Sequence, residues 1–154
     1  MKYQVKTSEE VQDALDTGTA VVALESTIFS NLGLPSPSNE EALNRCIRAV
    51  REEGAVPALT AVLDGELCAG VSPDTHERIL GSTTKVAARD LSTSVAKKLS
   101  VGATTVSASL AIASALGIEV FATGGIGGVH RGADITGDIS ADLLAISNYP
   151  VLVV

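Results

Sequence analysis

The chain has 154 residues and a formal net charge of −7, with 45% apolar, 19% charged and 3% aromatic residues. This length and composition are typical of one globular domain with a core of Val, Ile, Leu and Ala, as in buried parallel sheets. The negative charge argues against nucleic acid polymers and anionic membranes as partners, so any bound phosphate must be met by a few placed donors.

The N-terminal residues carry charge throughout, and every apolar run is too short to span a bilayer. We therefore expect no signal peptide and no membrane segment, and we expect the cytoplasm as the location. Cys46 and Cys68 belong to no Cys-x-x-Cys or Cys/His cluster and are predicted to be small buried hydrophobic residues.

The first predicted elements are a helix and a strand. Apolar spacing predicts a short amphipathic helix at 8–16. The apolar run at 20–24 predicts a buried strand that delivers Glu25, Ser26 and Thr27 at its carboxyl end. A loop rich in Gly, Pro, Ser and Asn follows.

The clearest helix in the sequence comes next. Ser38 and Glu41 match the S-x-x-E capping box, which predicts the start of this helix, and Gly54 is predicted to close it. Its inward face is predicted to consist of Leu43, Cys46, Ile47 and Val50.

A hairpin and a short helix follow. The segments 56–63 and 66–71 flank Asp64-Gly65, a composition that favours a two-residue type I′ turn. Pro73 is predicted to lie at the start of a short helix that carries a solvated His76.

The remaining chain predicts helices at 90–99 and 104–116, a strand at 119–123, a helix at 138–146 and a strand at 150–154. Strands alternate with helices, which predicts an α/β layered fold with a mixed, mostly parallel sheet flanked by helices. Sites in such folds lie beyond the carboxyl ends of the strands. No turn or polar tail follows the last strand, so residues 1–154 are expected to be a single domain that is truncated at its C-terminus.

The densest glycine cluster follows the strand at 119–123. Its members are Gly124, Gly125, Gly127 and Gly128. Such residues can adopt positive φ and turn amides toward an anion, although a plain flexible turn is an equal alternative. The neighbouring His130 and Arg131 favour the anion site, because both can donate to it.

Two carboxylates follow at i,i+4 spacing, Asp138 and Asp142. On one helix they would share a face, either as a helix cap with a second-turn Asp or as a carboxylate site for Mg²⁺ or Mn²⁺. The spacing alone favours the cap. Glu25 follows a buried strand and could be a general acid with a raised pKa, or a solvated strand-end residue. Lys85 could contact phosphate or be an ordinary surface lysine.

Six stretches occur together in one order and carry a resemblance to a known family. They are 23–27 (ALEST), 33–39, 52–65, 85–91, 102–108 and 121–143 (FATGGIGGVHRGADITGDISADL). Together they resemble the pseudouridine-5′-phosphate glycosidase family, also called indigoidine synthase A-like. The resemblance covers about 120 residues and the N-terminal half of the family's domain.

The resemblance implies reversible cleavage of the C1′–C5 bond of pseudouridine 5′-phosphate to uracil and ribose 5-phosphate, with Mn²⁺ as cofactor and a homotrimer as assembly. It implies that Glu25 is the proton donor and that Asp138 is the Mn²⁺ ligand. The substrate contacts that it implies are Lys85, Val106, Ser140, Ala141 and Asp142. A phosphate or ribose contact at His130 and Arg131 is our own inference from the motif.

Two departures from the family pattern matter. The loop after Glu25 reads SNLGLP, where many members have a His-Gly pair and are one residue shorter. The family's reaction also runs through an iminium on a lysine in a Cys-Ala-Gly-(Ala/Val)-Lys segment, and none of this chain's five lysines matches that lysine. We therefore expect that the 154-residue chain alone does not cleave the substrate. The alternatives are a non-catalytic sugar-phosphate-binding fragment and a remnant.

Overall fold

The computed structural model describes residues 3–154. The strands are β1 (Val5–Thr7), β2 (Val21–Leu24), β3 (Val56–Leu63), β4 (Glu66–Ala69), β5 (Lys85–Val86), β6 (Val101–Thr104), β7 (Val120–Ala122) and β8 (Leu152–Val153). The helices are α1 (Glu9–Thr17), α2 (Ser38–Glu52), α3 (Pro73–Leu80), α4 (Leu91–Ala96), α5 (Val106–Leu116), α6 (Ala133–Thr136) and α7 (Ala141–Asn148), with a 3₁₀ turn at Ala88–Asp90.

The strands form one sheet in the order β1-β4-β3-β2-β7-β8, with β6 paired to β3 and β5 paired to β6. Five of the seven described pairings are parallel; the β3–β4 and β3–β6 pairings are antiparallel. The predicted mixed, mostly parallel sheet flanked by helices is confirmed. No helix within residues 3–154 is both long and apolar enough to cross a membrane.

The long strand β3 pairs with two strands that lie end to end. Its first half, Val56–Leu59, runs parallel to β2, and its second half, Ala61–Leu63, runs antiparallel to β6. The carboxyl ends of β2 and β6 therefore meet near Thr60. The backbone amides of Ser26 and Thr27 both donate to the Thr104 carbonyl oxygen, at 3.3 and 3.1 Å, and join the two ends. We call this place the strand junction.

Four buried hydroxyl groups hold the strand junction together. The Thr104 Oγ1 atom lies 3.1 Å from Ser26 Oγ and 2.8 Å from Thr60 Oγ1, and Thr60 donates to Ser109 Oγ at 2.8 Å. All four side chains are inaccessible to solvent. Because buried hydroxyl groups are stable only when they are hydrogen-bonded, this network determines how β2, β3, β6 and α5 meet.

The core has one cluster on each face of the sheet, and the alternating side chains of β3 contribute to both. Ala58 and Val62 pack with residues of α1, α4, α5 and α7, whereas Leu59 and Leu63 pack with residues of α2 and α3. The helices thus cover both faces, as expected for a mostly parallel sheet.

Several predicted elements are confirmed. Ser8 caps α1 by accepting from the Val11 amide, and Gly54 follows α2 with φ of 76°. The β3–β4 hairpin turns at Asp64 and Gly65 with φ of 52° and 81°, as a type I′ turn requires. His76 is half-buried, with Nε2 3.1 Å from the Val71 carbonyl oxygen, so the prediction that it is solvated is wrong.

The predicted capping box is wrong. Ser38 is already the first residue of α2, Pro37 precedes it, and no side chain caps the helix. The adjacent Asn39 is buried instead, because its amide donates to the Phe29 carbonyl at 3.1 Å and its Oδ1 accepts from the Glu40 amide at 2.9 Å. This residue ties α2 to the loop that follows β2.

The segment predicted as helices at 90–99 and 104–116 contains a strand between two shorter helices. Helix α4 ends at Ala96, β6 occupies Val101–Thr104, and α5 begins at Val106. Gly102 lies within β6. A glycine is needed at this position because a Cβ would come within 2.5 Å of Val86 and 2.8 Å of Leu99. A four-residue strand has too little periodicity to be separated from flanking helical patterns.

Candidate functional site at the strand junction

Polar residues from four separate segments gather around the strand junction. Glu25 follows β2, Lys85 begins β5, Thr123 follows β7, and Asp142 lies in the first turn of α7. The sheet topology brings these segments together, because the carboxyl ends of β2, β6 and β7 point to one region.

Glu25 is buried, with 6% of its surface exposed. Burial raises the pKa of its carboxyl group above the ordinary value, and the negative charge of Asp142 raises it further. A hydrogen bond from the Thr123 hydroxyl, the charge of Lys85 and a backbone hydrogen bond from Ile28 lower the pKa, but burial is the largest influence. Such a carboxyl group keeps its proton to higher pH than a solvated one and is suited to donate it.

An apolar cavity of about 280 Å³ lies against Glu25. Its walls include Leu24, Ile28 and Phe29 on one side and Val50 of α2 on another. The cavity leaves space for a ligand beside the carboxyl group.

Asp142 is buried and links two backbone segments. Its Oδ1 accepts from the Ser107 amide in the first turn of α5 at 2.9 Å, and its Oδ2 accepts from the Gly127 amide at 3.0 Å. The carboxylate thus satisfies one free amide at the α5 N-terminus and anchors the glycine cluster. It was predicted as a substrate contact, and the structure adds this structural role.

The glycine cluster does not use the positive φ that its glycines allow. In the described chain, Gly124, Gly125, Gly127 and Gly128 all have negative or extended φ, whereas Gly132 and Gly137, which flank α6, are left-handed. Close packing explains why position 127 is a glycine. A Cβ on Gly127 would lie 2.3 Å from the Ser140 hydroxyl oxygen. The Gly127 amide faces the protein's own Asp142 carboxylate.

Asp138 and Asp142 do not share a helix face. Helix α7 begins at Ala141 with Ser140 as its cap, whose hydroxyl accepts from the Asp142 amide at 3.2 Å. Asp138 precedes the helix, so its predicted role as helix cap is wrong. Residues 129–139 instead form a loop that contains α6, and the antiparallel bridge between Val129 and Ile139 closes it.

Asp138 is exposed, and its Oδ2 lies 3.0 Å from Nδ1 of His130. Within residues 3–154, no group of three or more His, Cys, Asp or Glu side chains is arranged to hold a metal ion. Asp138 supplies a carboxylate oxygen of the kind that Mn²⁺ prefers, and His130 supplies an imidazole nitrogen. These two donors fit an ion that keeps most of its ligands as water or substrate oxygens.

The other predicted site residues differ in burial. Lys85 is exposed and close enough to Glu25 to lower its pKa. Val106 is buried, so a contact with substrate would come from its backbone. Ala141 is half-buried, and Arg131 is exposed beside His130.

The lysines other than Lys85 lie elsewhere. Lys6 pairs with Glu66 beside the β3–β4 hairpin, and Lys98 packs against Gly65 of the same turn. Lys97 adjoins Lys98, and Lys2 lies outside the described residues. Lys85 is therefore the one lysine of residues 3–154 near Glu25.

Sequence reasoning missed Thr123 and the hydroxyl network. Thr123 follows a short buried strand, as Glu25 does, and that shared position is the signal that could have identified it. Ser26 shares the strand-end position of Glu25, but nothing local indicated its partners. Thr60, Thr104 and Ser109 carried no local signal, because the partners within this network are between 5 and 78 residues apart.

A family model described as indigoidine synthase A like protein matches residues 10–154. Among curated relatives, the pseudouridine-5′-phosphate glycosidase of Myxococcus xanthus is 47% identical over 96% of this chain and 49% of its own length. The enzyme of the same name from Arabidopsis thaliana is 50% identical over 100% of this chain and 47% of its own length. The chain thus spans about half the length of the curated relatives it matches.

Two solved structures share the fold. The prealnumycin C-glycosynthase AlnA, solved in complex with ribulose 5-phosphate, aligns with a TM-score of 0.85 and 38% identity over 97% of this chain and 48% of its own. An indigoidine synthase A-like protein from Thermotoga maritima aligns with a TM-score of 0.80 and 34% identity over 96% of this chain and 47% of its own.

Proposed function

The chain belongs to the indigoidine synthase A-like family, and we propose from this premise that the protein it forms part of cleaves pseudouridine 5′-phosphate reversibly to uracil and ribose 5-phosphate. The observation that carries the proposal is Glu25, a buried carboxyl group with a raised pKa beside an apolar cavity. The names of the curated relatives support the substrate, and the AlnA complex supports a pentose phosphate as ligand.

Glu25 supplies the proton that the reaction consumes. The bond to be broken joins C1′ of the sugar to C5 of the base, so no oxygen or nitrogen between them can be protonated as in ordinary glycosidases. When this bond breaks, its electron pair stays with C5, and C5 takes the proton from Glu25. The cavity against Glu25 would accept the planar uracil ring and keep water away from the carboxyl group.

The sugar phosphate would lie on the polar side of Glu25. Lys85 supplies a positive charge there, and Ser140, Ala141 and Asp142 form the start of α7 next to it. His130 and Arg131 supply further donors to an anion from the adjoining loop. A few placed donors of this kind can bind a phosphate despite the net charge of −7.

The covalent step requires a lysine amine that bonds to C1′ as the C1′–O4′ bond of the ribose ring breaks and O4′ takes a proton. After the nitrogen loses a proton, its lone pair forms the iminium as the C1′–C5 bond breaks. The family resemblance matches this lysine to none of the five lysines here, and Lys85 corresponds to a substrate contact. We assign the nucleophile to the part of the relatives' length that this chain does not span. The homotrimer, which the family resemblance implies, is likewise a proposal for the longer protein.

We also propose that Mn²⁺ binds at Asp138. The ion would supply positive charge that holds and polarises substrate oxygens. Asp138 and His130 would orient it from the exposed side of the site, with water completing its shell.

The test uses the full-length protein that includes this chain, because the 154-residue chain alone is expected not to cleave the substrate. It compares the wild type with Glu25→Gln, which keeps the shape of the side chain and removes the proton. We expect uracil release to fall at least about 10²-fold, because general acid catalysis is worth 10²–10⁴-fold. Ribose 5-phosphate binding by calorimetry should be nearly unchanged. Glu66→Gln, at an exposed position far from the junction, is the matched control. Ribose 5-phosphate binding without uracil release by the wild type would instead support a non-catalytic sugar-phosphate-binding protein.

A further inference from the structure

Thr123 makes three polar contacts through one hydroxyl group. It hydrogen-bonds the Glu25 carboxyl group, its oxygen lies 3.2 Å from the Gly125 amide nitrogen, and it lies 3.0 Å from the Gly125 carbonyl oxygen. The residue follows β7, whose parallel pairing with β2 brings it beside Glu25 across 98 residues of sequence. None of the family motifs that identified the site residues assigns it a role.

We infer that Thr123 is a positioning residue that holds the Glu25 carboxyl group in both of its protonation states. The inference rests on the proposed function, in which Glu25 must hold a proton, release it and take it back in the reverse reaction. A residue beside it must therefore accept a hydrogen bond in one state and donate one in the other.

The hydroxyl group of Thr123 can do both without moving a heavy atom. When Glu25 is ionised, the Thr123 hydroxyl donates to Oε1 and its oxygen accepts from the Gly125 amide. When Glu25 is protonated, the carboxyl group donates to Thr123 Oγ1, and the Thr123 hydrogen rotates toward the Gly125 carbonyl. The Glu25–Thr123 contact is thus hydrogen-bonded in both states, as buried polar groups require.

The other groups that face Glu25 cannot replace Thr123. Asp142 of α7 acts through its negative charge, and its oxygens are already engaged by the Ser107 and Gly127 amides. Lys85 of β5 acts through its positive charge and can only donate. The loop after β2 contributes the Ile28 backbone, also a donor. Among these groups, only Thr123 can switch between donor and acceptor.

Thr123 also joins Glu25 to the glycine cluster, since both of its other contacts are to Gly125. The next residue, Gly124, packs against Ile28, and a Cβ there would lie 2.5 Å from Ile28 Cδ1. The carboxyl group is therefore held between the loop after β2 and the loop after β7.

The experiment compares Thr123→Val, which keeps the side-chain shape and removes the hydroxyl, with Thr123→Ser, which keeps the hydroxyl. Thr19→Val, at an exposed threonine far from the junction, controls for loss of a surface hydroxyl. Uracil release is measured as kcat and KM against pH. The Glu25 carboxyl carbon is titrated by carbon NMR, with Glu25→Gln providing its assignment.

For Thr123→Val we expect kcat to fall about 10-fold or more with KM within about twofold, because only part of the general-acid contribution of 10²–10⁴ depends on position. The Glu25 titration should move to higher pH, since the ionised form loses a donor. The falling limb of activity should move with it. Thr123→Ser should resemble the wild type in all three measurements.

An unchanged Glu25 titration in Thr123→Val overturns the inference whether or not the protein is active. A wild-type kcat and pH profile in Thr123→Val also overturns it, as does a Thr123→Ser variant as impaired as Thr123→Val. Inactivity of the full-length wild-type protein contradicts the proposed function alone, because the titration still reports on Thr123. If Thr123→Val fails to fold, Thr123→Ala serves with the same expected shifts.

Discussion

Replacing Asp142 with Asn tests the link between the glycine cluster and α5. The wild-type carboxylate accepts from the Ser107 and Gly127 amides, at 2.9 and 3.0 Å, and is only 8% exposed. Asn keeps one acceptor oxygen and places an NH₂ group where the second oxygen was. One of the two amides then faces a donor and loses its hydrogen bond.

The magnitude follows from that loss. A hydrogen bond to a charged group contributes about 1.5–3 kcal/mol, and the unpaired buried amide has its own desolvation penalty. We expect the free energy of unfolding to fall by about 2–3 kcal/mol. For a chain of this size, that corresponds to a fall in Tm of roughly 4–12 °C.

Urea unfolding followed by circular dichroism measures the change, provided that the slope of the transition is the same in both proteins. Asp138→Asn is the matched control in the same segment, because the Asp138 side chain is exposed and pairs with the half-exposed His130 side chain. Exposed pairs are worth little, so we expect a change below about 0.5 kcal/mol. If Asp142→Asn unfolds within about 0.5 kcal/mol of the wild type, the carboxylate does not anchor these segments.

Two further predictions concern the metal and the pH dependence. Asp138→Ala should weaken Mn²⁺ binding, followed by electron paramagnetic resonance, and the Mn²⁺ dependence of uracil release. Asp134→Ala, at an exposed aspartate of the neighbouring helix α6, should change neither. Unchanged Mn²⁺ affinity in Asp138→Ala would leave Asp138 without a metal role. Because the native pKa of Glu25 is raised by burial, the folded state holds its proton more tightly than the unfolded state, so stability should decline as pH rises from the unfolded glutamate pKa of about 4.3 through the native value. Glu25→Gln should remove that decline in urea titrations between pH 4 and 8, and an identical decline in the variant would refute the raised pKa.

The sequence alone was enough to identify the elements whose signals are local. Apolar spacing placed the inward face of α2, and the Asp64-Gly65 pair identified the hairpin turn, because both depend on neighbouring residues. Strand-end position made Glu25 a candidate, since polar residues after a buried strand lie at the edge of the sheet where sites form, and a solvated strand-end residue stayed an open alternative. The family resemblance gave the specific roles of Glu25, Asp138 and Lys85.

The tertiary structure decided what these residues contact. Strand β6 was hidden between two helical patterns, so the meeting of β2 and β6 along β3 could not be foreseen, nor could the hydroxyl network that joins Ser26 to Thr104 across 78 residues. Thr123 gained its role from the pairing of β7 with β2, and Asp142 became an anchor because α7 begins at Ala141. Local patterns determine which residues form a strand or a helix, but the order of strands in the sheet determines which distant groups become neighbours, and no window of sequence contains that order.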